Sequence, residues 1–203
     1  MKFTRRLLII LLLVLISSCG KKAPPAPAAR SFGDSKEWVT LEDMVYSIGS
    51  TNITITVPAG FVTDFASIPP QLALIGLSAH GQYSRAAIVH DYLYWAQACT
   101  RAQADRLMVI AMKESRVGTF DESAIYQGVD VFGQHAWDAN RREHELGIPK
   151  VIPIELRKPE DSNMNWPDYR RHLFERGIRD PAFEKQPAYC KYGNSREVPS
   201  AVQ

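Results

Sequence analysis

Cysteine is scarce: three residues among 203, at positions 19, 99 and 190. None lies in a Cys-x-x-Cys pair or at Cys/His ligand spacing, which excludes the common structural zinc sites. Long hydrophobic runs are lacking too. Leu7–Ile16 is about half of the roughly twenty residues that span a bilayer. Charge of one sign is not in excess. The 24 basic residues face 22 acidic ones, a formal +2 that is too even to announce a nucleic-acid binder. Glycine (12) and proline (13) are too few for a collagen-like or low-complexity chain. There is no internal repeat. Ser67 lies in no Gly-x-Ser-x-Gly elbow, so a serine hydrolase has no support. What is present, 45% hydrophobic and 23% charged residues, suffices for the packed core of one ordinary domain with extras.

The first residues hold Lys2, Arg5 and Arg6, then the Leu7–Ile16 run: a basic region and a short apolar region, as in a bacterial export signal. The run closes Leu15-Ile16-Ser17-Ser18-Cys19-Gly20. An aliphatic residue, two small residues and Cys resemble the lipobox of bacterial lipoproteins. That resemblance implies cleavage after residue 18, diacylation of Cys19 and a lipid anchor in the membrane. Gly20, rather than Asp, resembles the outer-membrane sorting pattern of a Gram-negative host. The expected location is therefore the outer membrane, facing the periplasm or the cell surface. Cleavage removes Lys2, Arg5 and Arg6 and no acid, which leaves 21 of the 24 basic residues against all 22 acidic ones. The apparent basicity belongs to the signal. Cys99 and Cys190 then remain, either paired in an oxidising compartment or separate thiols.

Residues 19–36 are rich in Ala and Pro, the composition of an extended tether. A core domain is expected over 37–144. Trp38–Leu41, Met44–Ile48 and Ile53–Val57 predict a small antiparallel sheet; the last alternates apolar and hydroxyl residues. Helices follow. Tyr83 to about Ala98 carries Ala86, Ala87, Val89, Leu93 and Tyr94 at helical spacing. Thr100-Arg101-Ala102-Gln103 fits a capping box that opens a helix to about Ser115. Thr119-Phe120-Asp121-Glu122 fits another, opening a helix to about Ala139 with Ile125, Val129, Phe132 and Ala136 inward. The fold class is α+β: a short antiparallel sheet of two or three strands, a three-helix unit, and an irregular, Pro-rich extension over 145–203 with one short helix near 168–176.

Three patches carry chemistry: Gly60 to Pro69 (GFVTDFASIP), Ala86 to Tyr94 (AAIVHDYLY) and Arg101 to Arg106 (RAQADR). Together they resemble an uncharacterised domain family common in phages, prophages and bacteria, over roughly residues 37–138. The resemblance implies no established activity. The residues themselves suggest one. His90 and Asp91 are neighbours on a helix and point about 100° apart. Asp105 lies near the start of the next helix, antiparallel to the first. His90 and Asp105 can meet there, the carboxylate orienting the imidazole and leaving one nitrogen free as a base. Asp64 can approach Asp91 from its loop, and two carboxylates suit a hard cation such as calcium.

The His-Asp-Tyr helix also resembles secreted phospholipase A₂, especially its smaller bacterial and fungal forms. That resemblance implies His90 as the water-activating base, Asp105 as its orienting partner, and Asp91 with Asp64 as calcium ligands, acting on phospholipid esters beside the anchor. The pattern departs from the family where Ile88 and Val89 replace its half-cystine pair. A metal-dependent phosphohydrolase using the His-Asp pair, with His80 upstream, is a further alternative. The rival of another class is a non-enzymatic envelope or phage-related surface module. There Asp64 caps a turn, Asp105 pairs with Arg101 or Arg85, and His90 is a core histidine, all within one buried polar network. His135, His144 and His172 read as capping or solvated residues. Enzyme and module differ in one geometric respect: the first needs the cluster open to a cleft, the second seals it.

Overall fold

A computed structural model describes residues 25–65 and 82–200. The export signal, the lipidation residue Cys19, Ser67 and His80 lie outside the described residues. No helix among the described residues is long and apolar enough to cross a membrane.

The architecture is α+β. Among the described residues, five short strands come first: β1 (Ala29–Ser31), β2 (Trp38–Thr40), β3 (Met44–Ser47), β4 (Thr54–Val57) and β5 (Val62–Thr63). Four described helices follow: α1 (Ser84–Ala96), α2 (Arg101–Glu114), α3 (Thr119–Glu145) and α4 (Trp166–Glu175). Single 3₁₀ segments sit at Ile154–Leu156 and Ala188–Asn194.

β3 and β4 form an antiparallel hairpin with Met44 opposite Val57 and Tyr46 opposite Ile55. Those four side chains are buried while Val45, Thr54 and Thr56 face out, the period-two pattern of a half-covered ladder. β2 does not join this hairpin, contrary to the single sheet expected over 38–57. It pairs antiparallel with β1 on one side and β5 on the other. The reason lies in the Pro58–Phe61 turn. The Thr40 amide donates to the Phe61 carbonyl (2.9 Å) and the Gly60 amide to the Thr40 carbonyl (2.7 Å), so the end of β2 is spoken for by the segment entering β5.

The expected boundaries also move outward. Part of the tether is folded, because Ala29–Ser31 is a strand and Phe32 is buried against Trp166 and Tyr169 (ring centroids 5.2 and 6.1 Å). The extension beyond residue 144 belongs to the same body. Ile152, Trp166, Tyr169 and Leu173 close a second core over Phe32, Val39 and Val62. The Val62 amide donates to the Lys150 carbonyl (3.0 Å), and the Ile152 amide to the Gly60 carbonyl (2.8 Å). Burying each large apolar side chain contributes about 1.5–3 kcal/mol, which a few aromatics supply even in a Pro-rich stretch.

The main core is built by α1 and α2 against the hairpin. α1 is buried almost all round, with Ile88, Val89, Leu93 and Trp95 fully covered. It stops at Gln97, which is left-handed (φ 48°) and returns its amide to the Leu93 carbonyl. Thr100 then caps α2 in a full capping box with Gln103. Cys99, between the two helices, is disulfide-bonded to Cys190 with Cα atoms 5.4 Å apart, which fastens the Ala188–Asn194 segment to α2.

α3 departs from expectation at both ends and on its inner face. Its N-cap is Gly118 without a side-chain cap bond, so Thr119 is already helical rather than capping. It continues to Glu145 because Asn140–Glu145 contains no breaker; Gly147 in the left-handed region (φ 73°) ends it. Phe132, expected inward, is 68% exposed, and Gly133 is the buried residue. The helix rests on small and half-buried side chains because it approaches too closely for a large one.

Candidate functional site

α1 presents two successive acid–base residues to different neighbours. His90 faces α2 and is buried. Its Nε2 lies 2.9 Å from Asp105 Oδ1. Asp105 is 2% exposed, a buried charge that must be compensated. Three donors do this. Besides His90, the Tyr94 hydroxyl donates to Oδ1 (2.6 Å), and Arg101 Nη1, one helical turn back, donates to Oδ2 (3.1 Å). Burial and the Asp105 charge hold the Tyr94 hydroxyl well above the usual phenol range, so it stays a donor. Arg101 Nη1 also reaches the Val129 carbonyl (3.1 Å), which ties the cluster to α3. Of the three partners weighed for Asp105, His90 and Arg101 are present together, while Arg85 donates instead to the Pro25 and Val45 carbonyls.

This arrangement fixes the imidazole. An ionised carboxylate only accepts, so Nε2 carries the proton in the neutral ring and Nδ1 carries the lone pair. The ring makes no other hydrogen bond to a described residue.

Asp91 faces β5. Thr63 Oγ1 donates to Asp91 Oδ2 (2.5 Å), and the Phe65 amide returns to Thr63 Oγ1 (3.0 Å). Phe65 is held in the left-handed region (φ 64°), an uncommon conformation for an aromatic residue. Its buried ring packs edge-on against Trp38 at 5.6 Å and secures that turn. The turn brings Asp64 close enough to Asp91 for its charge to act on that carboxyl. Burial first, and the Asp64 charge second, push Asp91 up to about 7, against the opposing pull of Lys150 and Thr63.

The cluster is not sealed. A cavity of about 410 Å³ lies between α1, α2 and α3. Its lining combines His90, Asp64, Asp91, Tyr83 and Lys150 with the apolar Met108, Met112, Ile125, Val129 and Phe132. Asp105 is behind His90 and does not reach it. Phe132 thus lines a cavity wall instead of filling the core. His144, expected solvated, packs at 5.6 Å from Trp95 and 5.4 Å from Phe183, away from this cluster.

The calcium expected at Asp64 and Asp91 finds a poor cage. Calcium takes six to eight oxygen ligands. The Lys150 charge stands close enough to act on Asp91, and no group of three or more His, Cys, Asp or Glu side chains converges among the described residues.

Four contributors had no role in the sequence reading: Thr63, Tyr94, Gly133 and Lys150. Tyr94 was signalled by its place one turn after His90, on the same helix face. A Cβ on Gly133 would stand 2.4 Å from the Tyr94 hydroxyl oxygen, so only glycine lets α3 lie over that phenol. Lys150 gave no signal, because it lies in the stretch read as an extension.

Residues 38–129 match a family described as a protein of unknown function (DUF1353). That stretch holds Asp64, His90, Asp91 and Asp105, whereas Lys150 lies beyond it. No curated protein and no solved structure matches the chain.

Proposed function

We propose that the protein is a hydrolase of carboxylic esters with an apolar acyl part, phospholipid esters among them. The observation that carries this reading is the position of His90. Its Nε2 is bound by a sealed carboxylate while the ring lines a cavity that also holds Asp64 and Asp91. A base needs both halves of that arrangement: a partner that fixes the tautomer and steadies the imidazolium, and an open lone pair where substrate can come. Water held by Nδ1 attacks the ester carbonyl carbon, and its proton passes to Nδ1. The carbon–oxygen bond to the alcohol then breaks, and the imidazolium returns that proton to the leaving oxygen. The apolar wall of Met108, Met112, Ile125 and Val129 takes the acyl chain. Calcium is left out of this scheme because the described donors do not suit it.

The proposal includes the membrane anchor. The Cys19 pattern supports a lipoprotein in the outer membrane, and β1 begins soon afterwards. Residues 20–28 reach at most roughly 30 Å when fully extended. The cavity would then work within about one domain's width of the lipid surface. Labelled palmitate incorporated by the native chain and lost in Cys19→Ser checks this part.

The test of activity uses the full-length chain in detergent, with p-nitrophenyl butyrate and with phosphatidylcholine in mixed micelles, in EDTA and in calcium. Turnover should survive EDTA and fall at least 100-fold in His90→Ala, within the usual range for general-base catalysis. Turnover only with calcium would restore the metal. No turnover of either ester would leave the cluster as a buried network in a surface module.

A further inference from the structure

The scheme above leaves one requirement unmet, a positive group where the carbonyl oxygen gains charge. We infer that Lys150 supplies it, its ammonium binding the oxyanion that forms when water attacks the ester in the His90 cavity. This rests on the hydrolase reading and assigns the role that the phospholipase resemblance gave to calcium.

Three observations place Lys150 there. Its backbone is fixed on both sides: the amide donates to Asp180 Oδ1 (2.8 Å), and the carbonyl accepts the Val62 amide (3.0 Å). Asp180 is itself held, accepting from Trp95 Nε1 (2.5 Å) and the Val151 amide (2.8 Å). The side chain then runs over two aromatic rings, with Nζ 5.6 Å from the Phe61 centroid and 5.4 Å from that of Trp95. It ends on the wall of the cavity that His90 lines. Such a path narrows the choices of a flexible stem, so the charge is oriented before substrate arrives.

The third observation is what the ammonium does not do. It has no ion pair within 4 Å and no hydrogen bond among the described residues, although two acidic residues line the same cavity. A lysine charge at a cavity wall, kept near acids without being consumed by them, is available to a ligand. It favours an ester in that cavity as negative charge appears on the carbonyl oxygen. Lys150 donates hydrogen bonds only. The water proton still travels through His90, so the balance of the reaction is unchanged.

The test compares Lys150→Met, Lys150→Arg and His90→Ala in the full-length chain. Methionine keeps the apolar stem over Phe61 and Trp95 and removes the charge. Lys150→Gln serves in its place should the Met variant not fold. Turnover of p-nitrophenyl butyrate and binding of n-butylphosphonate, a tetrahedral anion, are measured together with the melting temperature. Removing one oxyanion donor costs about 10²–10³ in kcat. The Met variant should lose at least 100-fold in kcat with KM within threefold and melting unchanged. It should lose phosphonate affinity by at least tenfold, and Arg should restore part of both. A Met variant within threefold of the native kcat, beside an inactive His90→Ala, overturns the role of Lys150 and leaves the hydrolase reading standing. Native protein with no turnover overturns both.

Discussion

Gly133→Ala puts one methyl group where α3 lies over Tyr94. The new Cβ would stand 2.4 Å from the Tyr94 hydroxyl oxygen and 3.2 Å from Arg101 Nη1, while the ring carbon Cζ is at an ordinary 3.4 Å. No Cβ tolerates the first distance, so the hydroxyl must leave Asp105 or the helix must lift. Losing a hydrogen bond to a charged group costs about 1.5–3 kcal/mol. Against this, alanine gains about 1 kcal/mol over glycine in a helix interior. The net expectation is a loss of about 0.5–2 kcal/mol, or roughly 1–8 °C in melting temperature at this chain length. In a Tyr94→Phe background the offending oxygen is gone and the helix term dominates. There the same substitution should stabilise, by up to about 1 kcal/mol. A double-mutant cycle by urea denaturation reads the change of sign directly as a coupling of about 1.5–3 kcal/mol. Stabilisation by Gly133→Ala in the native background, or equal effects in both, would refute the close packing of α3 on Tyr94.

Asp91 gives a pH signature. Its folded value, about 7, lies above the unfolded carboxylate range near pH 4, so the native state binds the extra proton. Stability should therefore fall as pH rises from about 4 to about 7. Asp91→Asn, which removes the buried titrating group, should flatten that slope and melt higher than native protein at pH 8; thermal scans across this range check it. The Cys99–Cys190 bridge closes a loop of 91 residues. Its reduction, or Cys190→Ser, should cost about 4.6 kcal/mol in the chain-entropy account, readable as a lower urea midpoint. An unchanged midpoint would mean that the C-terminal segment is held by packing alone.

Where residue pattern and structure agree, the signal is local. The Thr100–Gln103 capping box, the apolar positions of α1 and α2 and the alternation of β4 each fix their element within one turn of chain. Placing His90 against Asp105 followed from a short connection between two antiparallel helices. The flanks were not legible for the opposite reason. Ala29–Ser31 is a strand only because β2 lies beside it, and nothing in Ala-Arg-Ser announces that partner. Phe32, Trp166 and Tyr169 are isolated aromatics in Pro-rich surroundings, and their value appears only when they meet. On α3, Ile125 and Val129 pack against the core as their spacing predicts, but Phe132 does not, because a close contact there selects Gly133, which a search for apolar periodicity passes over. Lys150 was silent because its role depends on two rings and a cavity assembled from distant segments.

The order in which contacts become available follows from the flanks. A chain emerging N-terminus first can form the hairpin and the α1–α2 pair early, since those contacts are near in sequence. β1 and β2 must wait for the residues near 152 and 166–173 before Phe32 and Val39 are covered. Cys99 waits longer still, for a partner close to the end of the chain. Contacts of such separation are slow to find. The helices bearing His90 and Asp105 can thus pair before the wall bearing Lys150 arrives, and the Cys99–Cys190 contact is the most distant of these to close.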